Sequence, residues 1–439
     1  AHNLPLDGNP REHAQAREAF NAGAAALFVP EIELENALTV LANHGKNRRS
    51  RESEHPMARR HPASPHLPVP AWAPTKVSGS AMSSLDRWFV KLAQANPQLR
   101  VRIGNPDELA SNKMGATLAL LKHRVNVPEP GVPESTHGSV ITALNEEAVA
   151  AAALANKGGL NLIVSYEAFA VKMLGLIRQE IIFARRQKEL GQPPGWISIP
   201  LVVTSHTWEN SKNEQSHQDP TIGEALLGEM SDTARVLFPV DENTACAALR
   251  AVYASRGQVA CVVVSKRDTP NHFSAAAAQS LIEHGAAHVA GDPSTAQLQF
   301  VAIGAYQLEE ALKAHARLEH HGLASCITVV VEPGRLRIPR DELEAAFVLG
   351  DESLQALFPP HLPRVLISHT RPEPMLGVLR RIDSGPSKTR ALGYINHGGT
   401  LDVAGMLIAN RCTWVDAIYA AAQVTGWNSS QAAAAATDA

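Results

Sequence analysis

Six short apolar runs constrain this chain more than any other feature. Leu162 to Val164, Ile197 to Val203, Val259 to Val264, Phe300 to Ile303, Ile327 to Val331 and Val365 to Ile367 are dominated by branched aliphatic residues. They alternate with segments of helical spacing: Ser84 to Asn96, Glu146 to Ala155, Tyr166 to about Gly191, Asn243 to Ser255, Leu308 to His321 and Trp414 to Ala422. A strand that is apolar on both faces needs a cover on both. The alternation therefore predicts an α/β architecture with a mostly parallel sheet.

At 439 residues the chain exceeds one ordinary core and suits two or three domains. Residues 1–75 read as a lead-in, with short helices over Arg11 to Ala26 and Glu31 to Ala42. Lys46, Arg48, Arg49 and Arg51 then meet a Pro- and His-rich stretch. The basic stretch 46–62 reads as a solvated linker, with contact to a phosphate or an acidic partner as the alternative. Residues 76–295 form the larger α/β domain and 296–427 a smaller one. The Ala-rich stretch 428–439 shows no pattern and is expected to be disordered.

A net charge of −3 gives no global field for nucleic acid or a membrane surface. There is no apolar run of about 18 residues to span a bilayer, and no secretory signal opens the sequence. Cys246, Cys261, Cys326 and Cys412 form no C-x-x-C pair and read as buried thiols of a cytoplasmic protein. Dinucleotide, Walker and H-E-x-x-H motifs are absent.

Three features can carry chemistry. Trp208 to Pro220 is the densest polar run and directly follows an apolar strand. Ligands in open α/β sheets sit at the carboxyl ends of strands, so this run is either a solvent loop or a site, with His217 as its candidate. Asn145-Glu146-Glu147 opens an Ala-rich helix, where a carboxylate suits the helix dipole. One of the two Glu is alternatively buried against a heterocycle, since adjacent helical residues face different ways. Tyr166 and Phe169 share a helix face, for core packing or for a flat ring.

Five segments in order resemble the phosphoketolases. Asn105 to Gly115 is similar to the family's "G-P-D-E-x-x-S-N-R". Ser165 to Phe169 is similar to "S-x-Y-E-A-F", and Ser216 to Pro220 to "S-H-Q-D-P". Arg235 to Asn243 is similar to "R-V-Y-L-P-P-D-A-N", and Val262 to Lys266 to "I-V-A-x-K". Gly393-Tyr394 with His397 to Thr400 matches the late "G-Y-x-x-E-G-T-T" in part.

The resemblance implies a transketolase-like, thiamine diphosphate-binding pyrimidine domain followed by a smaller transketolase C-terminal-like domain. It implies an oligomer, because sites in this superfamily lie between chains. The Gly-Asp-Gly with a following Asn that holds magnesium and diphosphate is missing: Gly291-Asp292-Pro293 and Gly350-Asp351-Glu352 lack the third Gly. Ala1 to Leu6 resembles the segment that follows the diphosphate domain. That domain is therefore expected before residue 1 or on a partner chain, carrying Mg2+.

By the same resemblance Glu146, with Glu147 as fallback, is the carboxylic acid that hydrogen-bonds the pyrimidine nitrogen. Tyr166 and Phe169 face the ring, and His217 and Asn213 contact substrate oxygens. Ser111, Lys113, Lys212 and Lys266 bind sugar phosphate or inorganic phosphate. Lys113 replaces an Arg, Lys212 a His, and Glu214-Gln215 a "G-F", which puts the substrate and acceptor in question. The implied reaction is cleavage of a ketose phosphate to an acyl phosphate. Transketolase-like transfer to another acceptor and a non-catalytic scaffold are the alternatives. Retention of Glu146, Tyr166, Asn213 and His217 together argues against the scaffold.

Overall fold

The computed structural model describes residues 6–46, 62–106, 109–210 and 214–437. The chain divides into two units, residues 1–60 and 61–439. Within the first, helices run over Ala14–Ala26 and Glu31–Lys46. Glu31 and Glu33 open the second helix and His44 and Lys46 close it, matching its dipole. Ala16 is the one buried apolar side chain among the described residues of this unit. Lys46 is the only residue of the basic group that falls within them; Arg48, Arg49 and Arg51 lie outside.

The second unit contains a large sheet, a second smaller one and a two-stranded ribbon. After the short strand β1 (Ser78–Ser80) come β2 (Val101–Asn105), β3 (His123–Arg124), β4 (Glu134–Ser135) and β5 (Val140–Thr142). Then follow β6 (Leu160–Tyr166), β7 (Ile199–Thr204), β8 (Ala234–Leu237) and β9 (Val259–Val263). Strands β2 to β9 form one sheet in the order β4-β3-β5-β2-β6-β7-β9-β8. Every pairing in it is parallel. Next, β10 (Asp268–Pro270) pairs back on β1. The second sheet holds β11 (Ala286–Ala290), β12 (Leu298–Ile303), β13 (Ser325–Val330), β14 (Arg364–Ser368) and β15 (Thr389–Leu392), in the order β11-β13-β12-β14-β15. Only β11 runs antiparallel in it.

The period of two along a strand divides the central strands between two cores. Leu162, Val164, Val202 and Val262 join Met82, Leu85, Phe89 and Val252 from the helices Ala81–Ala95 and Glu242–Ala254. Ile163, Leu201, Val203 and Val263 join Val149, Ala153, Ile177 and Ile181 from the helices on the other face. This two-sided cover makes the strands read as unbroken apolar runs.

Four features differ from the sequence expectation. The second sheet begins at Ala286, ahead of the boundary at 295/296, because β11 adds on as an antiparallel edge. The helix expected from Tyr166 to Gly191 is three pieces: Glu167–Ala170, a 3-10 turn Val171–Met173, and Leu174–Glu189. The stretch 62–75, read as linker, is pinned by side chains. Asn96 bonds both His66 N and O, Trp88 Nε1 donates to Pro68 O, and Asn243 bonds Ala73 N and O. Finally, the expected disordered tail forms a helix, Ser429–Thr437, with Ala432 and Ala435 buried. All four cysteines are buried and unpaired. No helix among the described residues is long and apolar enough to cross a membrane.

The sheets are tied by a buried ion pair. Arg235 on β8 meets the Glu332 carboxylate in two bonds, Nε to Oε1 at 2.6 Å and Nη2 to Oε2 at 2.8 Å. Burial raises the Glu332 pKa, but Arg235 and Arg335 hold it below the usual carboxylate value. Removing one partner leaves the other buried and unpaired. Glu332→Leu is expected to lower stability by about 3–5 kcal/mol, read as a lower urea midpoint at unchanged slope. Adding Arg235→Met to it recovers most of the loss.

Candidate active site at the carboxyl edge of the sheet

Parallel strands end at the same edge. Strands β5, β2, β6, β7 and β9 are consecutive in the sheet, and each leads into a segment with a residue singled out from the sequence. After β5, Glu146 opens the helix Glu146–Leu154, capped by the Asn145 side chain accepting from Ala148 N at 2.8 Å. That helix lies close on β2 because Gly104 has no side chain: a Cβ there would sit 2.3 Å from Val149 O. After β2 come Ser111 and Lys113, in a loop braced by Asp86 accepting from Ala116 N (2.9 Å) and Thr117 N (2.8 Å). Tyr166 ends β6 and Phe169 follows it. His217 lies on the 3-10 turn Gln215–His217 after β7, and Lys266 follows β9.

These side chains meet. The Tyr166 and Phe169 rings stack at 6.0 Å with planes 27° apart. The His217 ring lies 4.6 Å from Phe169, edge on, and 6.4 Å from Tyr166. Ser111 Oγ is 3.4 Å from the Tyr166 hydroxyl, and Lys266 Nζ is 5.7 Å from the centre of the Tyr166 ring. On the Phe169 side, Lys172 Nζ sits 4.8 Å over the ring and 3.2 Å from Glu146 Oε1. Glu146 is 13% exposed while Glu147, the fallback, is exposed. Lys113 faces Asp268 at 3.6 Å, with both side chains exposed. Lys212 and Asn213 lie outside the described residues.

Behind the aromatic pair is a layer that sequence reasoning missed. Glu167, between Tyr166 and Phe169, is 1% exposed. It accepts from Thr207 N and Oγ1, both at 2.8 Å, and pairs with His369 Nε2 at 2.9 Å. Burial alone raises its pKa, but His369, His206 and the Thr207 bonds bring it below the usual range. Glu209 is buried likewise and accepts from Ser265 Oγ, Lys266 N (2.9 Å), Arg267 N (3.2 Å) and Tyr306 Oη (2.6 Å). Burial opposes its ionisation, and His206 with these donors restores it.

The polar run is therefore not a plain solvent loop. Trp208, Glu209, Asn210 and Gln218 are buried, and Trp208 Nε1 donates to His369 O at 2.9 Å. Gln218 bonds Gly399 O and N, and the Tyr394 hydroxyl donates to Gln218 O at 2.8 Å. The late Gly-Tyr segment thus holds the His217 turn from the second sheet. A Glu directly after a buried strand, inside Tyr-Glu-Ala-Phe, was the available signal for Glu167. Nothing local marks His369.

Residues 83–255 match the family described as D-xylulose 5-phosphate/D-fructose 6-phosphate phosphoketolase. A protein of Streptomyces avermitilis described as "Probable phosphoketolase" is 26% identical over 349 residues, covering 77% of this chain and 42% of that protein. The chain thus spans less than half the length of this curated relative. Among solved structures, a transketolase from Pichia stipitis superposes with a TM-score of 0.62 at 15% identity, over 85% of this chain and 49% of that one. A split-gene transketolase, solved as an inactive β4 tetramer, superposes with a TM-score of 0.54 at 15% identity, over 79% of this chain and 98% of that one. The chain is thus similar in sequence to phosphoketolases over residues 83–255 and shares the fold of transketolases.

Proposed function

We propose that this chain supplies the pyrimidine-binding and C-terminal part of a thiamine diphosphate site that cleaves a ketose phosphate to an acyl phosphate and an aldose phosphate. The observation that carries the reading is the convergence of Glu146, Ser111, Tyr166, Phe169, His217 and Lys266 from five adjacent strand ends. A diphosphate-binding subunit or segment completes the site and holds Mg2+. The extent of the match supports this: 42% of a curated relative's length, and nearly all of a split-gene transketolase chain.

The residues suit the cofactor. Two stacked rings offer a face for a flat heterocycle. The Asn112 amide, 1% exposed, has no hydrogen-bond partner, nor have the Thr204 and Ser205 hydroxyls at the end of β7. Buried polar groups of this kind gain from a polar ligand. Bound here, the cofactor would supply thiazolium chemistry for breaking the bond next to the ketose carbonyl. Glu146 presents its carboxyl to the pyrimidine nitrogen, and Lys172 yields the contact at small cost because it is 58% exposed. His217, held against Phe169, orients substrate hydroxyls with Asn213. Ser111, Lys113, Lys212 and Lys266 attract the phosphate groups.

Calorimetry separates the partner requirement from the chemistry. The isolated chain is expected to bind magnesium thiamine diphosphate weakly, and tightly once mixed with a diphosphate-binding chain; tight binding alone contradicts the partner. In the assembled enzyme Glu146→Gln is expected to lower turnover by at least about 100-fold with melting temperature unchanged. Lys266→Ala is expected to raise KM for phosphate by about 10- to 100-fold. Acetyl phosphate formed only when inorganic phosphate is present identifies the phosphoketolase reaction. Transfer to an aldehyde without it identifies the transketolase-like alternative.

A further inference from the structure

Three potential ligand side chains converge behind the aromatic pair. The ligand atoms of Glu167, His206 and His369 lie within 4.8 Å of one another. They come from separate points of the fold: after β6, after β7, and after β14 in the second sheet. All are at most 3% exposed. The two imidazole rings are 4.9 Å apart with planes at 83°. His206 Nδ1 is buried without a hydrogen-bond partner.

The charge balance points the same way. Glu167 and Glu209 are both buried. Among the described residues their ion pairs are with His369 and His206, at 2.9 Å and 3.8 Å. Among the described residues no lysine or arginine side chain pairs with either carboxylate. Two ionised carboxylates in an interior cost several kcal/mol each unless positive charge accompanies them.

We propose that Glu167, His206 and His369 bind one divalent transition-metal ion, with zinc the best fit. Two imidazole nitrogens and a carboxylate oxygen are a common zinc donor set, whereas magnesium and calcium prefer oxygen throughout. Ligand atoms on a tetrahedral zinc lie about 3.4 Å apart, given bonds of about 2.1 Å. The widest pair here needs to close by about 1.4 Å at most, within reach of small side-chain torsions. Binding displaces the proton between Glu167 and His369, so that the imidazole lone pair faces the ion. Glu209 Oε1 lies beside the cluster, 3.8 Å from His206 Nε2. A site this enclosed leaves no open position for substrate, so its role is structural: it joins the strand-end loops of the first sheet to the second, one residue from Tyr166.

The test uses the full chain and needs neither turnover nor a partner. Metal-free protein is titrated with Co2+, whose visible bands report tetrahedral nitrogen and oxygen ligation, and then with Zn2+. One Co2+ per chain, displaced by one Zn2+ with a rise in melting temperature, is expected. His206→Ala and His369→Ala should abolish the bands. Glu167→Gln keeps the side chain's shape and accepting oxygen, so it guards against simple unfolding; it should weaken affinity at least about tenfold with circular dichroism unchanged. Absence of the bands overturns the proposal. So does a signal that survives Glu167→Gln and His206→Ala at full affinity, which places the metal on surface histidines.

Discussion

An ionised carboxylate is stable inside a protein only if donors and positive charge surround it. Two such groups, Glu167 and Glu209, organise the carboxyl edge of this sheet. Glu167 holds Thr207 and His369 in place. Glu209 gathers the backbone N–H groups of Lys266 and Arg267 with the hydroxyls of Ser265 and Tyr306. The loops after β6, β7 and β9 are thus fixed from below, and the second sheet enters through His369 and Tyr306. The candidate residues on the rim inherit their positions from these buried bonds. The backbone shows the same tension: Ser205, just before His206, sits at φ +44°, a conformation unfavourable for a residue with a Cβ.

The second sheet acts as a clamp on the same loops. Arg371 spans Asp219, Glu224 and Asn396, and its guanidinium lies 5.5 Å over the Tyr394 ring. Gln215 donates to Asn396 O at 2.7 Å. Gln215 is one of the positions where the chain departs from the phosphoketolase pattern, and the structure gives it a partner in the second sheet. Part of that departure is therefore accounted for by inter-sheet contact as well as by any change of substrate.

The fold was legible where burial is two-sided. Strands β6, β7 and β9 are apolar on both faces, so their composition announced them. Strands β3 and β4 are two polar residues each, β5 is three residues long, and β11 is an edge; composition alone does not mark them. The tail carried a signal that composition hid. Asn428 and Gln431 exchange bonds at 3.0 Å and 2.9 Å, a capping arrangement ahead of an alanine run with high helix propensity. At the site, Glu146, Ser111, Tyr166, Phe169, His217 and Lys266 lie near one another while Lys113 faces Asp268, and the layer beneath them did not announce itself. Glu209 looked like one more polar residue in a polar loop, because burial of a charge is invisible until its donors, spread over about a hundred positions, are brought together.

Glu146 and Glu167 show why motif position and burial must be read together. Glu167 is the more buried carboxylate, and its oxygens accept from Thr207 and His369. Glu146 stands at the rim, on a helix held against β2 through Gly104, paired with the exposed Lys172. A carboxyl that must take up and release a proton needs such an exchangeable contact, whereas one that fixes loops needs the opposite. Burial alone would select Glu167 as the acid of the proposed site. The partners of Glu167 place it among the bonds that fix the loops, whereas Glu146 stands at the rim beside an exposed lysine.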